Sequence, residues 1–141
     1  VVAAAGNSGP AEKTIKSPGI SGKIITVGAL NDNRNQFDEF DENSFTVAEF
    51  SSRGPAFNFY KPDCLASGVD IKGLKNNKDL FTKMSGTSVA TPIVAGVCAL
   101  VIEKYPHFSP NKVKQIILAN CKNILHNRNI EGFGVVNAEN F

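Results

Sequence analysis

At 141 residues, 42% hydrophobic and 20% charged, the chain has the size and composition of a single globular domain, long enough to bury roughly two thirds of its unfolded surface. Its formal net charge of +2, spread over scattered Lys and Arg, offers no basic stripe to nucleic acid. The longest apolar run, Ile93 to Ile102, contains Gly96 and Cys98 and ends at Glu103, too short for a bilayer span.

Val1 to Ala5 is a continuous apolar run closed by Gly6, Asn7, Ser8, Gly9 and Pro10. It reads as a strand buried on both faces, central in a parallel sheet and ending in a tight turn. Residue 1 is a poor place for such a fold to begin, so the sequence is expected to belong to a larger unit. Ile24 to Leu30 is a second β-branched strand, 31–43 a polar loop around Phe37 and Phe40, and Phe45 to Phe50 a half-buried strand before the turn Ser51-Ser52-Arg53-Gly54-Pro55. Short strands are expected at Cys64 to Leu65, Val69 to Ile71 and Leu80 to Met84. The segment after Gly86 is apolar almost all round (Val89, Ile93, Val94, Val97, Leu100, Val101), the pattern of a central buried helix. Ser109 caps a second, amphipathic helix with Pro110 at its first position and Val113, Ile116, Ile117 and Cys121 on one face. Gly132, Phe133 and Gly134 make a turn before a short strand and a last helical turn. No repeat or linker divides the chain, so residues 1–141 are one domain or part of one. Cys64, Cys98 and Cys121 lack CxxC or Cys/His spacing and read as small buried hydrophobes, outside any disulfide framework or zinc site.

Two residues stand where chemistry is done. Ser88 follows Gly86 and Thr87 at the start of the apolar helix, and Pro92, four residues on, is expected within the first turn. A serine there is either an N-cap or an accessible nucleophile beside backbone donors that hold an oxyanion. Asn7 lies just past a buried strand, at the carboxyl edge where open α/β sheets bind ligands. It is either a turn residue or an amide donor.

In order, "VVAAAGNSG", "TVGAL", "FSSRGP", "KPDCLASGVDI", "MSGTSVATPIVAGVCALV" and "GFGVVNAENF" resemble the carboxyl-terminal half of the catalytic domain of subtilisin-like serine peptidases. The resemblance implies an α/β fold, part of a mostly parallel, helix-flanked sheet that is incomplete without an amino-terminal partner segment. It implies a serine endopeptidase with Ser88 as nucleophile and Asn7 as the oxyanion-hole side chain, acting on protein or peptide substrates. By the same resemblance the enzyme is secreted, extracellular or in the cell envelope, and matured by zymogen processing. Two positions depart from the pattern: Ala66-Ser67-Gly68 stands for Ala-Pro-Gly, and Ile93 replaces a histidine that is not the general base.

The base itself is missing. The family supplies an Asp and a His earlier in the chain, in the order Asp, His, Ser. Here His107 and His126 both follow the serine, neither in a base motif, and Asp63 and Asp70 match structural positions. The amino-terminal portion carrying Asp and His is therefore an expected partner, and this chain alone is expected to be inactive. The alternative is a non-catalytic relative serving as scaffold or regulator. The resemblance further implies a substrate pocket walled by Ala4, Ala5 and Gly6 and by the segment at Lys16, Ser17 and Pro18, with a cis Ser17-Pro18 bond. Lys16, where relatives often have glycine, either shortens that pocket and, with Ser8 in place of an acidic residue that some relatives carry, leaves its base positive or neutral, or extends into solvent and leaves an ordinary apolar pocket. Calcium is left open: relatives bind it through carbonyls of the segment matching Gly19 to Ile24, which leaves no side-chain signature, and no metal residue is assigned.

Overall fold

The computed structural model describes residues 1–33, 42–76 and 80–139; most of the expected polar loop, with Phe37 and Phe40, lies outside them. The spine of the fold is β2 (Ile25–Asn31), whose first six residues are buried. β1 (Val2–Ala4) pairs with it in parallel through Val2↔Ile25 and Ala4↔Val27. β4 (Cys64–Ser67) pairs in parallel on the opposite edge, from Val27↔Cys64 to Leu30↔Ser67. β3 (Thr46–Val47) adds a short antiparallel piece at Leu30 and Asn31. The sheet is thus mostly parallel, as expected, with an antiparallel corner.

Several strands differ from the sequence reading in extent. β3 keeps two residues of the expected Phe45 to Phe50 because the chain turns at once: Ser51 N–H donates to the Ala48 carbonyl at 2.9 Å. β4 runs longer than Cys64 to Leu65. Val69 to Ile71 is a corner with Asp70 at φ 53, and the strand starts only at Ile71. From there β5 (Ile71–Leu74) and β6 (Phe81–Met84) form a separate antiparallel hairpin. After Gly132 and Gly134, Val135 bridges to both Leu65 and Lys122, and no helical turn forms through Glu139; the remaining two residues lie outside the described set.

The core is built by α1 (Thr87–Lys104), which lays Ala90, Val94, Val97 and Val101 onto Ile25, Val27, Cys64 and Ala66. α2 (Pro110–Ala119) closes it with Val113, Ile117 and Leu118, and Ser109 caps α2 by accepting from Lys112 N–H at 3.3 Å. Each such buried Val or Ile contributes about 1.5–3 kcal/mol.

Two expectations of complete burial are met on one side only. On the face of α1 away from the sheet, Ile93 is 39%, Leu100 53% and Ile102 49% exposed, and a β-carbon on Gly96 would meet nothing within 4 Å. At 18 residues α1 is long and apolar enough to cross a bilayer, beyond what the run Ile93 to Ile102 suggests, yet one face is packed as core. β1 buries Ala3 and Ala5 but only half-buries Val2 and Ala4, and pairs with β2 alone among the described residues. Hydrophobic pattern records which surface must leave water; whether these residues supply the cover is a separate matter.

Beneath the sheet, Asp63 is the hub of a buried ionic cluster. Its carboxylate accepts from Lys61 Nζ at 2.5 Å, Lys114 Nζ at 3.0 Å and the Thr26 N–H at 2.7 Å. Burial pulls the Lys61 ammonium below its ordinary pKa, and the hydrogen bond to Asp63 opposes that shift.

Candidate active site

Gly86 joins β6 to α1. Its N–H donates to the Gly68 carbonyl at 2.8 Å, and a β-carbon on Gly68 would stand 2.8 Å from the Ala29 side chain, so the retained glycine of Ala66-Ser67-Gly68 lets the return strand meet the sheet. Ser67, at the position of the family's proline, donates instead to Asp32 Oδ2 at 2.8 Å. This seats the start of α1 beside the turn that ends β1, and residues 80 positions apart in sequence become neighbours.

The contact is made by Thr87 and Asn7. Thr87 N–H donates to Asn7 Oδ1 at 3.0 Å, and the Thr87 hydroxyl donates to the same oxygen at 2.9 Å while accepting from Gly6 N–H at 3.2 Å. Main-chain N–H groups only donate, so the Asn7 atom facing Thr87 is its oxygen. The Asn7 Nδ2 is thereby turned the other way, toward Gly86. Asn7 thus sits in the turn after β1 with its amide orientation set by Thr87.

The surroundings of the buried Gly86 are closely bounded. A β-carbon on Gly86 would stand 3.2 Å from Ser88 Oγ, 3.4 Å from Asn7 Nδ2 and 3.8 Å from Ser88 N. One point is therefore ringed by a hydroxyl and two potential N–H donors, and glycine keeps it clear. With φ at 154°, Gly86 also holds a backbone that side chains rarely adopt. Ser88 is exposed and second in α1, so it does not cap the helix; Gly86 occupies that position with no side-chain cap. In the first turn, Thr87 N–H goes to Asn7, and those of Val89 and Ala90 go to the Gly86 carbonyl. The Ser88 N–H is left pointing outward at the positive end of the helix. The sequence reading put Pro92 in the first turn. It is the sixth residue of the helix, in the second turn, because α1 begins immediately after Gly86.

Ala4, Ala5, Gly6 and Lys16 also come together. Ala5 is fully buried, Lys16 N–H donates to its carbonyl at 2.9 Å, and a β-carbon on Gly6 would stand 2.6 Å from Lys16 Cγ. The Lys16 stem thus lies directly over Gly6, and its ammonium has no acidic partner among the described residues. Ser17-Pro18 is cis, as the resemblance implied. Three carbonyls between Gly19 and Ile24 accept from side chains of the chain itself. Lys114 Nζ donates to Gly22 at 3.2 Å and Ile24 at 2.6 Å, Lys61 Nζ to Ile24 at 3.4 Å, and the Thr26 hydroxyl to Gly19 at 2.6 Å. Two of these carbonyls, Gly22 and Ile24, thus face ammonium groups.

His107 lies three residues beyond α1, whose 18 residues span roughly 27 Å, so it is remote from Ser88 at the other end. His126 sits at φ 57 in the exposed loop that cages Glu131, whose carboxylate accepts from the N–H groups of Ile124, Leu125 and Asn127. Neither is hydrogen-bonded to Ser88 among the described residues. The three thiols are unpaired; burial raises the Cys98 thiol, and the neighbouring Cys121 thiol together with burial raises Cys64 well above the ordinary range. Asp70 is structural: its N–H is bonded to Ser85 Oγ at 2.8 Å. What sequence reasoning missed is Thr87, taken only as part of a sharp turn. Its contact with Asn7 crosses the whole fold and leaves no local signal.

Residues 1–134 match the model of the subtilase family. Serine protease AprX of Bacillus subtilis strain 168 is 44% identical over 155 residues, covering 99% of this chain and 34% of AprX. Subtilisin DY of Bacillus licheniformis is 34% identical, covering 99% of this chain and 45% of its own length. Among solved structures, sphericase superposes with a TM-score of 0.82 at 27% identity over 98% of this chain and 47% of sphericase. The chain spans a third to a half of the length of these relatives.

Proposed function

Because this chain belongs to the subtilase family of serine peptidases, we propose that it contributes the nucleophile and oxyanion hole of an endopeptidase whose Asp and His lie in a segment or chain outside these residues. Ser88 Oγ attacks the scissile carbonyl, its proton passing to the histidine. The carbonyl oxygen becomes an oxyanion held by Asn7 Nδ2 and Ser88 N–H. Collapse of that adduct breaks the peptide bond, the departing amine takes the proton, and water repeats the sequence on the acyl-serine. The observation that carries this reading is the single point reached by Ser88 Oγ, Asn7 Nδ2 and Ser88 N at 3.2, 3.4 and 3.8 Å. The need for an outside segment is supported by the uncovered apolar face of α1 and the single pairing of β1. An extracellular or cell-envelope location goes with this reading by kinship to subtilisins. The test is to treat the native protein with a fluorophosphonate and map the adduct. Labelling at Ser88 is the expected result; no labelling, or labelling elsewhere, while a control peptidase reacts, rejects catalysis in favour of a scaffold.

The substrate side chain before the cut is read by the pocket at Ala4, Ala5, Gly6 and Lys16. The Lys16 stem over Gly6 supports a shortened pocket, positive or neutral at its base, that favours acidic or small polar residues and disfavours Arg and Lys, although Lys16 is exposed and its ammonium can also extend into solvent. Digestion of a peptide library by the native protein should therefore give cleavage after Glu, shifting toward large apolar residues in Lys16→Gly. Strong cleavage after Arg or Lys that Lys16→Gly leaves unchanged would overturn the assignment.

A further inference from the structure

We propose that the cavity between the turn at 56–59 and the segment at 13–20 is a second binding site, separate from the active site, for a small ligand with an apolar body and a single carboxylate. The cavity has a volume of about 370 Å³ and is lined by Lys13, Ile15, Ile20, Pro55, Ala56 and Phe57, at the lower end of the range for small-molecule sites. Its walls are tied to each other by the chain. Lys13 N–H donates to the Gly54 carbonyl at 3.1 Å, Thr14 N–H to the Arg53 carbonyl at 2.9 Å, and Arg53 N–H back to Thr14 Oγ1 at 2.9 Å. Ile15 and Ala56 are its buried floor, packed with Ala5 and Ile20. The rim runs against local preference. Ala56 and Phe59 exchange both main-chain hydrogen bonds, at 3.0 and 2.9 Å, around the turn residues Phe57 and Asn58. Phe57 has φ 49 at the first of these two positions, where such a turn takes glycine. Positive φ is an outlier for so bulky a residue, and this ring is also 80% exposed, so burial does not offset the strain. The strained turn instead holds an aromatic ring along one side of an apolar cavity, and strain of this kind collects at ligand clamps. Lys13, likewise at positive φ (60), brings the only charge of the lining. Five apolar side chains select a hydrocarbon body; one ammonium with no carboxylate among the lining residues selects an anion. A free aliphatic acid and a peptide ending in an apolar residue share this chemistry.

The test is a ligand-observed NMR titration of the native protein with octanoate, with octanol, and with short acetylated peptides ending in leucine, one with a free carboxylate and one amidated. Octanoate should bind with a Kd on the order of 1 mM. Lys13→Ala should weaken octanoate about three- to fivefold, the range of an exposed ion pair, and leave octanol unchanged. Phe57→Gly should weaken octanoate by at least about tenfold while keeping or raising the melting temperature, because it removes the ring and the strain together. Lys16→Gly should leave octanoate binding unaltered, which separates this cavity from the substrate pocket. Absence of octanoate binding, or equal weakening of octanoate and octanol in Lys13→Ala, would overturn the proposal. So would parental affinity or a lowered melting temperature in Phe57→Gly, or binding lost in Lys16→Gly. Octanoate binding tighter than the free-carboxylate peptide supports the site as one for free aliphatic acids. The reverse order, with the amidated peptide weaker still, supports it as one for peptide carboxyl termini.

Discussion

Replacing Ser88 with alanine in the native protein is expected to lower kcat by about 10⁶-fold, the magnitude measured for the nucleophile of a subtilisin. Ser88 is exposed, and its hydroxyl has no partner among the described residues, so its loss removes no packing and no hydrogen bond of the fold. Thermal stability should therefore be unchanged within about 0.5 kcal/mol. A residual rate of about 10³–10⁴ over water should remain, because Asn7 and the Ser88 amide still hold the oxyanion. The measurement is a steady-state assay with a thermal melt on the same preparation. Parental activity in Ser88→Ala would remove the serine from the mechanism. A collapse in stability together with activity would make its role structural.

Gly86→Ala is expected to cost at least as much as deleting the oxyanion-hole side chain, about 10²–10³-fold in kcat, a range measured for that side chain in the family. The added methyl would occupy the point 3.2 Å from Ser88 Oγ and 3.4 Å from Asn7 Nδ2, where the proposed mechanism puts the reacting carbonyl. It would also be attached at φ 154°, a strain of about 1–3 kcal/mol that should appear as a lower melting temperature. Native mass and melting report the strain; kcat and the fluorophosphonate rate report the blocked point. Should Gly86→Ala turn over peptides within about threefold of the parent, the carbonyl is bound elsewhere and the oxyanion assignment falls with it.

Local chemistry was legible throughout. Ser109 and Pro110 announced the start of α2 and were found there, since a cap needs only its own turn. The β-branched run at Ile25 to Leu30 became the buried spine, and the stretches around Asn7 and Ser88 marked both as candidates before any contact was known. Less legible were the ends of strands such as β3 and β5: a turn hydrogen bond at Ser51 accompanies the end of β3 three residues before Phe50, and a positive φ at Asp70 delays the start of β5 by two. Burial of α1 was misread for a different reason: Ile93 and Leu100 have the chemistry of a core but face away from the sheet.

The sequence by itself determined the family, through the motifs it resembles, and the mostly parallel sheet, and it singled out Ser88 and Asn7 as candidates to attack and to hold an oxyanion, because residue type within a short stretch decides those. Tertiary structure alone decided how the amide of Asn7 points. That direction depends on two donors from Thr87, brought 80 residues across the fold by the meeting of Gly86 with Gly68. It also decided that the carbonyls of Gly22 and Ile24 face the ammonium of Lys114, a residue 90 or more positions away. Hydrogen-bond direction is fixed by which donors and acceptors the folded chain brings within about 3 Å, a property of no single stretch of sequence.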